Sequence, residues 1–573
     1  MDFTIWFLLG AALVFFMQCG FAMVESGFTR AKNAANIIMK NLMDFCFGAL
    51  CFVILGFSIM MAEDYLFGFI GVPNLGIFTD YANFDMQSFV FNLVFCATAS
   101  TIVSGAMAER TKFSSYLIYC IVISLVVYPI EAGWIWNPNG WLAQMGFIDF
   151  AGGAAIHTVG GLSALIGAAF LGARIGKYTT NKEGKVVKVN AIPGHSLVTG
   201  ALGCFILWFG WYGFNGAAAT DTNQLASIFL TTTLAPAFAT IATMTYTWIK
   251  NGKPDVSMSL NGSLAGLVAI TPACNNVDAL GSIIIGIVAG VLVVVAIEFV
   301  DLKLHVDDPV GAVGVHFAYG IWGILAVGLF AKPMTVGDWS VDAAGLFYGG
   351  GFKLLGVQAL GLLAVIAWTT VTMVITFGAI KKVRGLRASR EEELLGLDST
   401  EHGIENAYAD FLPIAHPELD IIEGGKKKKS TPVIPVSVEK AVEITNTATG
   451  SPGTLTKVTI ITRQSMFEPL KQVFDQIGIT GITVTNVLGY GSQHGGHKYR
   501  GVEIDSQLLP KIQIDVVISK VPLDTMIQAV KQVLYTGNIG DGKVFIYDVK
   551  NVIKIRTGEE GYDALQDAAI GDE

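Results

Sequence analysis

Charged residues are scarce in this chain. Asp, Glu, Lys and Arg make up only 14% of its 573 residues, whereas 52% are hydrophobic, and the net charge is −9. Soluble globular proteins contain about 25% charged residues, so most of this chain is not expected to fold in water. A weak negative net charge also argues against a nucleic-acid partner.

Cysteines are also few. The seven cysteines include no CxxC pair or other close spacing, and all lie at or before Cys274. We therefore expect neither a disulfide framework nor a cysteine metal site, and we interpret these residues as small buried apolar side chains. The N-terminus lacks the basic segment of a signal peptide, so its long apolar run is predicted to be a first membrane span.

Long apolar runs dominate the first two thirds of the chain. A membrane-spanning helix needs about 20 mostly apolar residues, and eleven segments meet that requirement. They are 4–27, 42–62, 86–108, 114–133, 149–173, 195–215, 224–249, 257–273, 280–300, 310–331 and 350–380. Most of the charged residues follow residue 380, which predicts a water-soluble region there.

Basic residues predict the orientation of these spans. Lys and Arg concentrate in the loops after the first, third, fifth, seventh and ninth spans, whereas the alternate loops contain almost none. By the positive-inside rule the first set of loops is cytoplasmic. The protein is therefore expected in the cell's inner membrane with its N-terminus outside and its soluble region in the cytoplasm.

The pattern Asp-x7-His occurs twice, from Asp149 to His157 and from Asp308 to His316. The copies open the fifth and tenth spans, and this odd offset makes the two helices cross the membrane in opposite directions, which predicts an inverted repeat of five plus five spans. Eight residues at about 1.5 Å each place both imidazoles near the middle of a core about 30 Å thick. An ionisable ring is energetically unfavourable at that depth, so its presence there indicates a function. The pair therefore predicts a pore and not an enzyme.

These motif residues also have structural interpretations. A single histidine in an apolar helix is usually a satisfied core group, and metal binding would need a third ligand that the sequence does not offer. Asp149 and Asp308 precede helices, where a carboxylate caps the N-terminus and meets the positive end of the helix dipole. The symmetric histidines favour a pore role, and the two aspartates favour a structural one.

The motifs resemble those of the ammonium transporter family. DFAGGAAIHTVGG and DDPVGAVGVHFAYGIWG look like its two histidine motifs, and GFAMVESG, GAMAERTKF, WYGFNG and GLRASREEELLGLDSTEHG match further segments in order, over about residues 1–408. The resemblance implies an all-α bundle at 1–384 without a cofactor, a cytoplasmic segment at 385–410, a homotrimer surrounded by membrane lipid, and passage of ammonium or ammonia.

The same resemblance assigns residues to the pore. The two histidines would lie in the pore, two stacked phenylalanines would close its outer mouth with a third beside them, and a tryptophan would face the external recruitment site. The assigned residues are His157 and His316, Phe95 and Phe214 with Phe91, Trp136, and also Trp211 and Asp149.

A second module follows. Residues 411–456 are rich in Pro, Gly and Lys and are predicted to be a flexible linker. Within 457–573, two strand-helix-strand patterns, a Gly-rich loop at 489–503 and a final strand at 551–557 predict a soluble ferredoxin-like α/β fold.

This module resembles the PII nitrogen-signalling proteins through GITGITV, GYGSQHGGHKYRGVE, TGNIGDGKVFIYDV and VIKIRTGEE. The resemblance implies that glycine amides and basic residues hold ATP or ADP, that Mg with 2-oxoglutarate is bound at Gln493, and that a loop with Tyr499 and Arg500 enters the pore exit. The implied ligand-binding residues are Gly540, Asp541, Gly542, Lys543, Lys554, Arg556, Gln493 and Lys511.

Two functions are predicted from these observations. The first is an ammonium channel regulated in cis by its own PII domain. The second is an ammonium sensor with minor flux that signals through that domain, an alternative supported by Ala218, where many family members have a serine beside the recruitment site.

Overall fold

The structure is a computed structural model of the full chain. It describes residues 3–404, 407–408, 455–479, 481–499, 502–537, 541–555 and 558–565, without the side chains of 465, 490–499 and 502–510. The chain divides into two compact units, Met1–Ala407 and Tyr408–Glu573. The predicted linker at 411–456 lies almost entirely outside the described residues.

The described part of the first unit contains eleven helices that are long and apolar enough to cross a membrane, which confirms the predicted number. We number them in chain order. They are α1 (Phe3–Phe28), α2 (Ala31–Met60), α3 (Met86–Ala106), α4 (Phe113–Gln144), α5 (Gly153–Leu171), α6 (Leu197–Gly216), α7 (Thr222–Asn251), α8 (Val256–Ala273), α9 (Ala279–Leu302), α10 (Val313–Phe330) and α11 (Phe352–Val383).

Short elements connect or follow these spans. In the described part of this unit, three antiparallel hairpins and two single-turn helices lie outside the bundle helices, together with further turns of helix at Gly76–Thr79 and Leu346–Tyr348. They are β1 (Tyr65–Leu66) with β2 (Ile70–Gly71), β3 (Tyr178–Thr180) with β4 (Val186–Val189), β5 (Met334–Val336) with β6 (Trp339–Val341), α12 (Arg390–Leu395) and α13 (Leu397–His402).

Helix α2 starts about three turns before the predicted span, at Ala31 and not at residue 42. Its polar first turns are stabilised by the segment that follows α11. The Asp398 carboxylate accepts the backbone N–H groups of Ala35 at 3.0 Å and Asn36 at 2.7 Å. A carboxylate at a helix N-terminus satisfies donors that have no partner within the helix. This tertiary contact explains why the apolar run alone gives the wrong start.

Close contacts between glycines and neighbouring helices set the crossing of α5 and α10. A Cβ atom on Gly161 would lie 2.2 Å from the backbone nitrogen of Phe317, and one on Gly320 would lie 2.4 Å from Thr158 Oγ1. Only a residue without a side chain allows the backbones to approach this far. The crossing brings the first turns of the two helices together, and these turns hold His157 and His316.

Replacing Gly161 with alanine is expected to weaken this crossing. The added methyl meets a backbone atom, which cannot move away by rotation of a side chain, so overpacking of about 1–3 kcal/mol is expected. Thermal unfolding in detergent should show a lower midpoint. G356A in α11, where a Cβ meets nothing within 4 Å, is the control, and equal midpoints for both variants would contradict the proposed role of the crossing.

The described part of the second unit contains one antiparallel sheet of four strands and two α-helices. The strands are β7 (Leu455–Thr462), β8 (Thr483–Tyr499), β9 (Val502–Ile518) and β10 (Lys543–Val549), in the order β10-β7-β9-β8, and the helices are α14 (Phe467–Gln476) and α15 (Leu523–Leu534). Val458 and Ile514 from the sheet pack with Phe474 and Met526 from the helices in one apolar core.

Two predictions for this unit are wrong. The predicted Gly-rich loop is largely a continuation of β8 and β9, which pair from Gly495 with Ser506 to Tyr499 with Val502. Backbone hydrogen bonds form a hairpin there whatever the side chains are. The predicted final strand is not a strand in its described part, 551–555, which contains a single bridge between Ile553 and Glu560. One bridge closes a local turn and does not extend the sheet.

Candidate functional site

The two predicted pore histidines face each other in the interior of the bundle. The Nδ1 atoms of His157 and His316 lie 3.1 Å apart, and the ring centroids are 5.1 Å apart with the planes inclined by 21°. Both side chains are buried. Nδ1 on one ring can donate to Nδ1 on the other only when the rings hold complementary tautomers. The pair is thus linked directly, with no residue between the rings.

Both histidines lie in π-helical turns, which the sequence did not predict. These turns are Gly153–Thr158 and Val313–Phe317, at the starts of α5 and α10. Each turn follows a glycine with a positive φ, Gly152 at 108° and Gly311 at 82°. π-helical turns are rare and frequently occur at functional sites.

The aspartates of the repeated pattern cap these turns. The Asp149 carboxylate accepts four backbone N–H groups, from Gly152 to Ala155, at 2.6–3.1 Å. Asp308 accepts the N–H groups of Gly311 at 3.0 Å and Val313 at 2.7 Å. The contacts agree with the structural interpretation of both aspartates, because each carboxylate is fully used in holding the turn that carries a histidine.

A column of aromatic rings continues from His157. Phe214 stacks on His157 with centroids 5.5 Å apart, and Phe95 lies 4.5 Å from Phe214. The buried Trp211 also stacks on His157, at 5.3 Å, while its Nε1 donates to Thr271 Oγ1 at 2.8 Å. The structure therefore brings together the histidines, the two phenylalanines and this tryptophan.

The remaining assigned aromatics lie at the far end of the column. Phe91 is 4.5 Å from Phe95, and Phe7 at the start of α1 is 4.4 Å from Phe91. The Trp136 ring is 6.0 Å from Phe95, and its Nε1 donates to the backbone carbonyl of Asp149 at 2.8 Å. Phe7 was missed because nothing in its apolar helix distinguishes it from a lipid-facing residue.

A cavity opens on the other side of His316. Its lining includes His316, Phe21, Glu25 and Asn261. Phe21 lies 6.2 Å from the His316 ring. The site is therefore an aromatic column, a central histidine pair and a mostly apolar cavity that follow one another in the interior of the bundle.

The chemistry of this path suits a small nitrogen compound. Nε2 of His157 is buried and has no hydrogen-bond partner in the described part of the chain. An imidazole can accept a hydrogen bond from a neutral amine or carry a proton. A bare ion has no such partner between the apolar rings. Among the described residues, no group of three or more His, Cys, Asp or Glu side chains is arranged to hold a metal ion.

The described nucleotide-site candidates of the second unit surround one turn. Asp541 accepts hydrogen bonds from the backbone N–H of Thr536 at 2.7 Å and from Arg463 at 3.0 Å. Burial alone would raise the pKa of Asp541, but the hydroxyl and N–H of Thr536 together with the Arg463 charge hold it below its ordinary value. Gly542 has a φ of 113°, and a Cβ there would meet the Ile461 carbonyl at 2.4 Å. These two residues shape the turn that presents the next residue.

Of the other ligand-binding residues predicted for this unit, three have described side chains. Lys543 opens β10, Lys554 pairs with Glu559 at 3.6 Å, and Lys511 is paired in β9 with its side chain beside Gly489. The rest lie outside the described residues or have undescribed side chains. These are Gly540, Arg556 and Arg500, and the side chains of Gln493 and Tyr499.

Comparisons with known families identify both units. Residues 5–408 match the family model described as Ammonium Transporter Family, and residues 455–559 match the one described as Nitrogen regulatory protein P-II. These matches agree with both resemblances in the sequence.

Individual relatives cover the membrane unit. The chain is 43% identical over 427 residues to Ammonium transporter Amt2 from Archaeoglobus fulgidus, which covers 71% of this chain and 88% of the relative. It is 39% identical over 423 residues to Putative ammonium transporter sll1017 from Synechocystis sp., covering 70% and 90%. A solved structure entitled Sensor Amt Protein matches with a TM-score of 0.64 and 35% identity over 70% of this chain and 98% of that one.

Proposed function

The chain belongs to the Ammonium Transporter Family and carries a C-terminal P-II domain, and from this premise we propose that it moves ammonium across the membrane along the path through the histidine pair. The observation that supports this proposal most directly is the buried contact of 3.1 Å between Nδ1 of His157 and Nδ1 of His316. The path joins these rings to the aromatic column and the cavity. The family relationship supports the substrate class, and the geometry supports the route.

The physical argument concerns charge in an apolar passage. A charged group at the centre of a bilayer is unfavourable by roughly 3–17 kcal/mol, so ammonium is expected to lose its proton near Phe95 and Phe214. Neutral ammonia then passes the rings, and the imidazoles relay the proton. Potassium has a similar charge and size but donates no hydrogen bonds, so the lone pairs of the histidines do not favour it.

The placement in the membrane belongs to the same proposal. We place the aromatic mouth and N-terminus outside the cell, and the P-II domain in the cytoplasm, from the basic loops. Two five-helix halves of opposite orientation account for two matching histidine turns that meet in the interior. We propose a homotrimer, because three P-II domains related by a threefold axis would match three pores related by the same axis.

Regulation in cis by the P-II domain is the finer part of the proposal. Gly542, with its backbone in a conformation that favours glycine, presents Lys543 at the end of a turn, and backbone amides with basic side chains suit phosphate groups. ATP or ADP would be held by Lys543 and Lys554, and 2-oxoglutarate would be bound near Lys511. A tether keeps the domain at a high effective concentration beside its own pore.

Currents through purified protein in liposomes test transport. Ammonium should produce a saturable current, and potassium at equal concentration should produce almost none. Tight ammonium binding without current or uptake would contradict transport and would support the sensor function.

Deleting residues 454–573 is expected to separate transport from regulation. The family match of the membrane unit ends at residue 408, so the shortened chain should still conduct ammonium. ATP with 2-oxoglutarate should change the current of the full chain and have no effect on the deletion variant. The full-length variant K543Q is the control for removal of the whole domain. It keeps the domain in place and should weaken the nucleotide response while leaving the basal current unchanged. An equal response in all three proteins would contradict regulation by the domain.

A further inference from the structure

The segment Gly20–Gly27 contains a buried carboxylate, Glu25, that the proposed route leaves without a role. Its side chain is only 3% exposed. It lies in the wall of the cavity that also contains His316. A carboxylate beside the path of a protonated species is a candidate for receiving the proton.

Helix α1 shows where Glu25 lies along the path. Phe7 of this helix contacts Phe91 at the aromatic mouth, and Phe21 lies 6.2 Å from the His316 ring. Fourteen residues at about 1.5 Å each separate these two phenylalanines by roughly 21 Å, and Glu25 follows Phe21 by about 6 Å. Glu25 is therefore one helical turn beyond the histidine pair, on the side away from the mouth.

The surroundings of Glu25 contain a buried cation. Lys40 of α2 is fully buried, its Nζ has no hydrogen-bond partner in the described part of the chain, and it interacts electrostatically with Glu25 and Asp44. Buried charges are tolerated only when they are compensated. Lys40 therefore compensates for carboxylate charge in this region.

The carboxylates of Asp44 and Glu25 differ in the number of hydrogen bonds that they accept. The Asp44 carboxylate accepts hydrogen bonds from Ser100 at 3.1 Å, Tyr116 at 2.6 Å and Cys120 at 2.8 Å. Glu25 Oε2 accepts one from Asn41 Nδ2 at 3.1 Å. The heavily bonded Asp44 fits a structural role, whereas Glu25 borders the cavity.

We infer that Glu25 is the proton acceptor that follows His316 in transport, an inference that rests on the proposed function. Nδ1 of His316 contacts His157, so Nε2 is the ring nitrogen left for the cavity. An N–H bond of the protonated His316 ring breaks as an O–H bond forms on Glu25, through a bridging water or ammonia. The O–H bond then breaks when the proton returns to ammonia in the cavity. Ammonium leaves, and the carboxylate is restored.

The variant E25Q tests this inference in full-length protein reconstituted in liposomes. Glutamine keeps the size of the side chain and an oxygen that accepts from Asn41, but it does not take up the proton. Two quantities are measured with ammonium as the only probe, namely the current and the alkalinisation of a trapped pH dye by neutral ammonia. We expect the current to fall at least about 100-fold, the lower end of the usual contribution of a positioned proton acceptor, while alkalinisation persists or increases.

Two further variants distinguish proton transfer from packing. E131Q removes another fully buried carboxyl, in α4, whose oxygens have no hydrogen-bond partner in the described part of the chain, and it should leave the ratio of current to alkalinisation unchanged. E25Q removes a carboxylate that compensates for the buried charge of Lys40, and this could prevent folding. The double variant E25Q/K40M also removes that lysine charge, so it tests the same ratio if E25Q does not fold. In it the ratio should fall as in E25Q.

The outcomes separate the inference from the proposed function. A parallel loss of current and alkalinisation in E25Q, or an unchanged ratio, would overturn the role of Glu25. Absence of both signals in the unmodified protein would instead contradict transport itself.

Discussion

Replacing both His157 and His316 with leucine is expected to abolish selective ammonium conduction. Leucine keeps the volume of the site close to that of imidazole but supplies no lone pair and carries no proton. The buried rings contact each other and the aromatic column, so no neighbouring side chain of that column offers a replacement. Transported nitrogen would lose the polar contacts that the two rings offer at the centre of the described path.

The expected size of this effect follows from two lost interactions. Leaving a buried polar group without a partner costs about 1–3 kcal/mol. Two such losses therefore raise the free-energy barrier to passage by about 2–6 kcal/mol. Since about 1.4 kcal/mol changes a rate tenfold, ammonium current should fall at least about 30-fold. The current should be measured in liposomes together with potassium current.

The control for this double variant is a histidine outside the column. His195 is half-buried, and its ring contacts the backbone carbonyl of Thr29 at 2.8 Å. H195L should therefore retain the preference for ammonium over potassium. If the double leucine variant kept that preference too, the assigned role of the two histidines would be wrong.

The sequence predicted the parts of the fold that depend on composition and on repeated motifs. The eleven spans follow from apolar length, because a bilayer allows no other spanning structure for such runs. The meeting of His157 and His316 agrees with the equal place of the repeated pattern at the start of two spans. The glycines that allow α5 and α10 to approach were visible in the same motifs.

Features that depend on tertiary contacts were not predictable. The early start of α2 depends on Asp398, a residue more than 350 positions away. The π-helical turns of the histidines depend on how Asp149 and Asp308 accept several N–H groups at once. The long hairpin of β8 and β9 depends on backbone pairing that a Gly-rich sequence does not indicate.

Arg174 is expected to be among the residues whose loss destabilises the bundle most. Its guanidinium binds both oxygens of Asp307, at 2.8 and 2.9 Å, and one oxygen of Glu109 at 2.9 Å. All three side chains are at most 3% exposed. R174M keeps much of the apolar stem but leaves two buried carboxylates short of a cation, and breaking a buried ion pair in this way destabilises by about 3–5 kcal/mol. Thermal unfolding in detergent should show a midpoint lower by several degrees.

The comparison should use an exposed ion pair of similar geometry. Lys250 and Glu298 pair at 2.5 Å with about a third of each side chain exposed. Exposed pairs contribute less than about 1 kcal/mol, so K250M should unfold close to the unmodified protein. A midpoint for R174M as high as that of K250M would show that Arg174 does not compensate the buried carboxylates.

The effect of R174M should also depend on pH in a defined direction. Burial alone would raise the pKa of Asp307, but the hydrogen bonds and charge of Arg174, with the charge of Arg110, hold it well below its ordinary value, and Arg174 and Arg30 lower that of Glu109 in the same way. A carboxyl whose pKa is lowered by folding stabilises the folded protein fully above the ordinary carboxyl range near pH 4. This stabilisation is lost as the pH falls from that range towards the lowered pKa. Without Arg174, both pKa values are expected to be higher than in the unmodified protein, so protonation of these carboxyls relieves part of the uncompensated charge in the variant. The difference in midpoint between unmodified protein and R174M should therefore be largest near pH 7 and shrink towards pH 4, and a difference that grows on acidification would contradict this assignment.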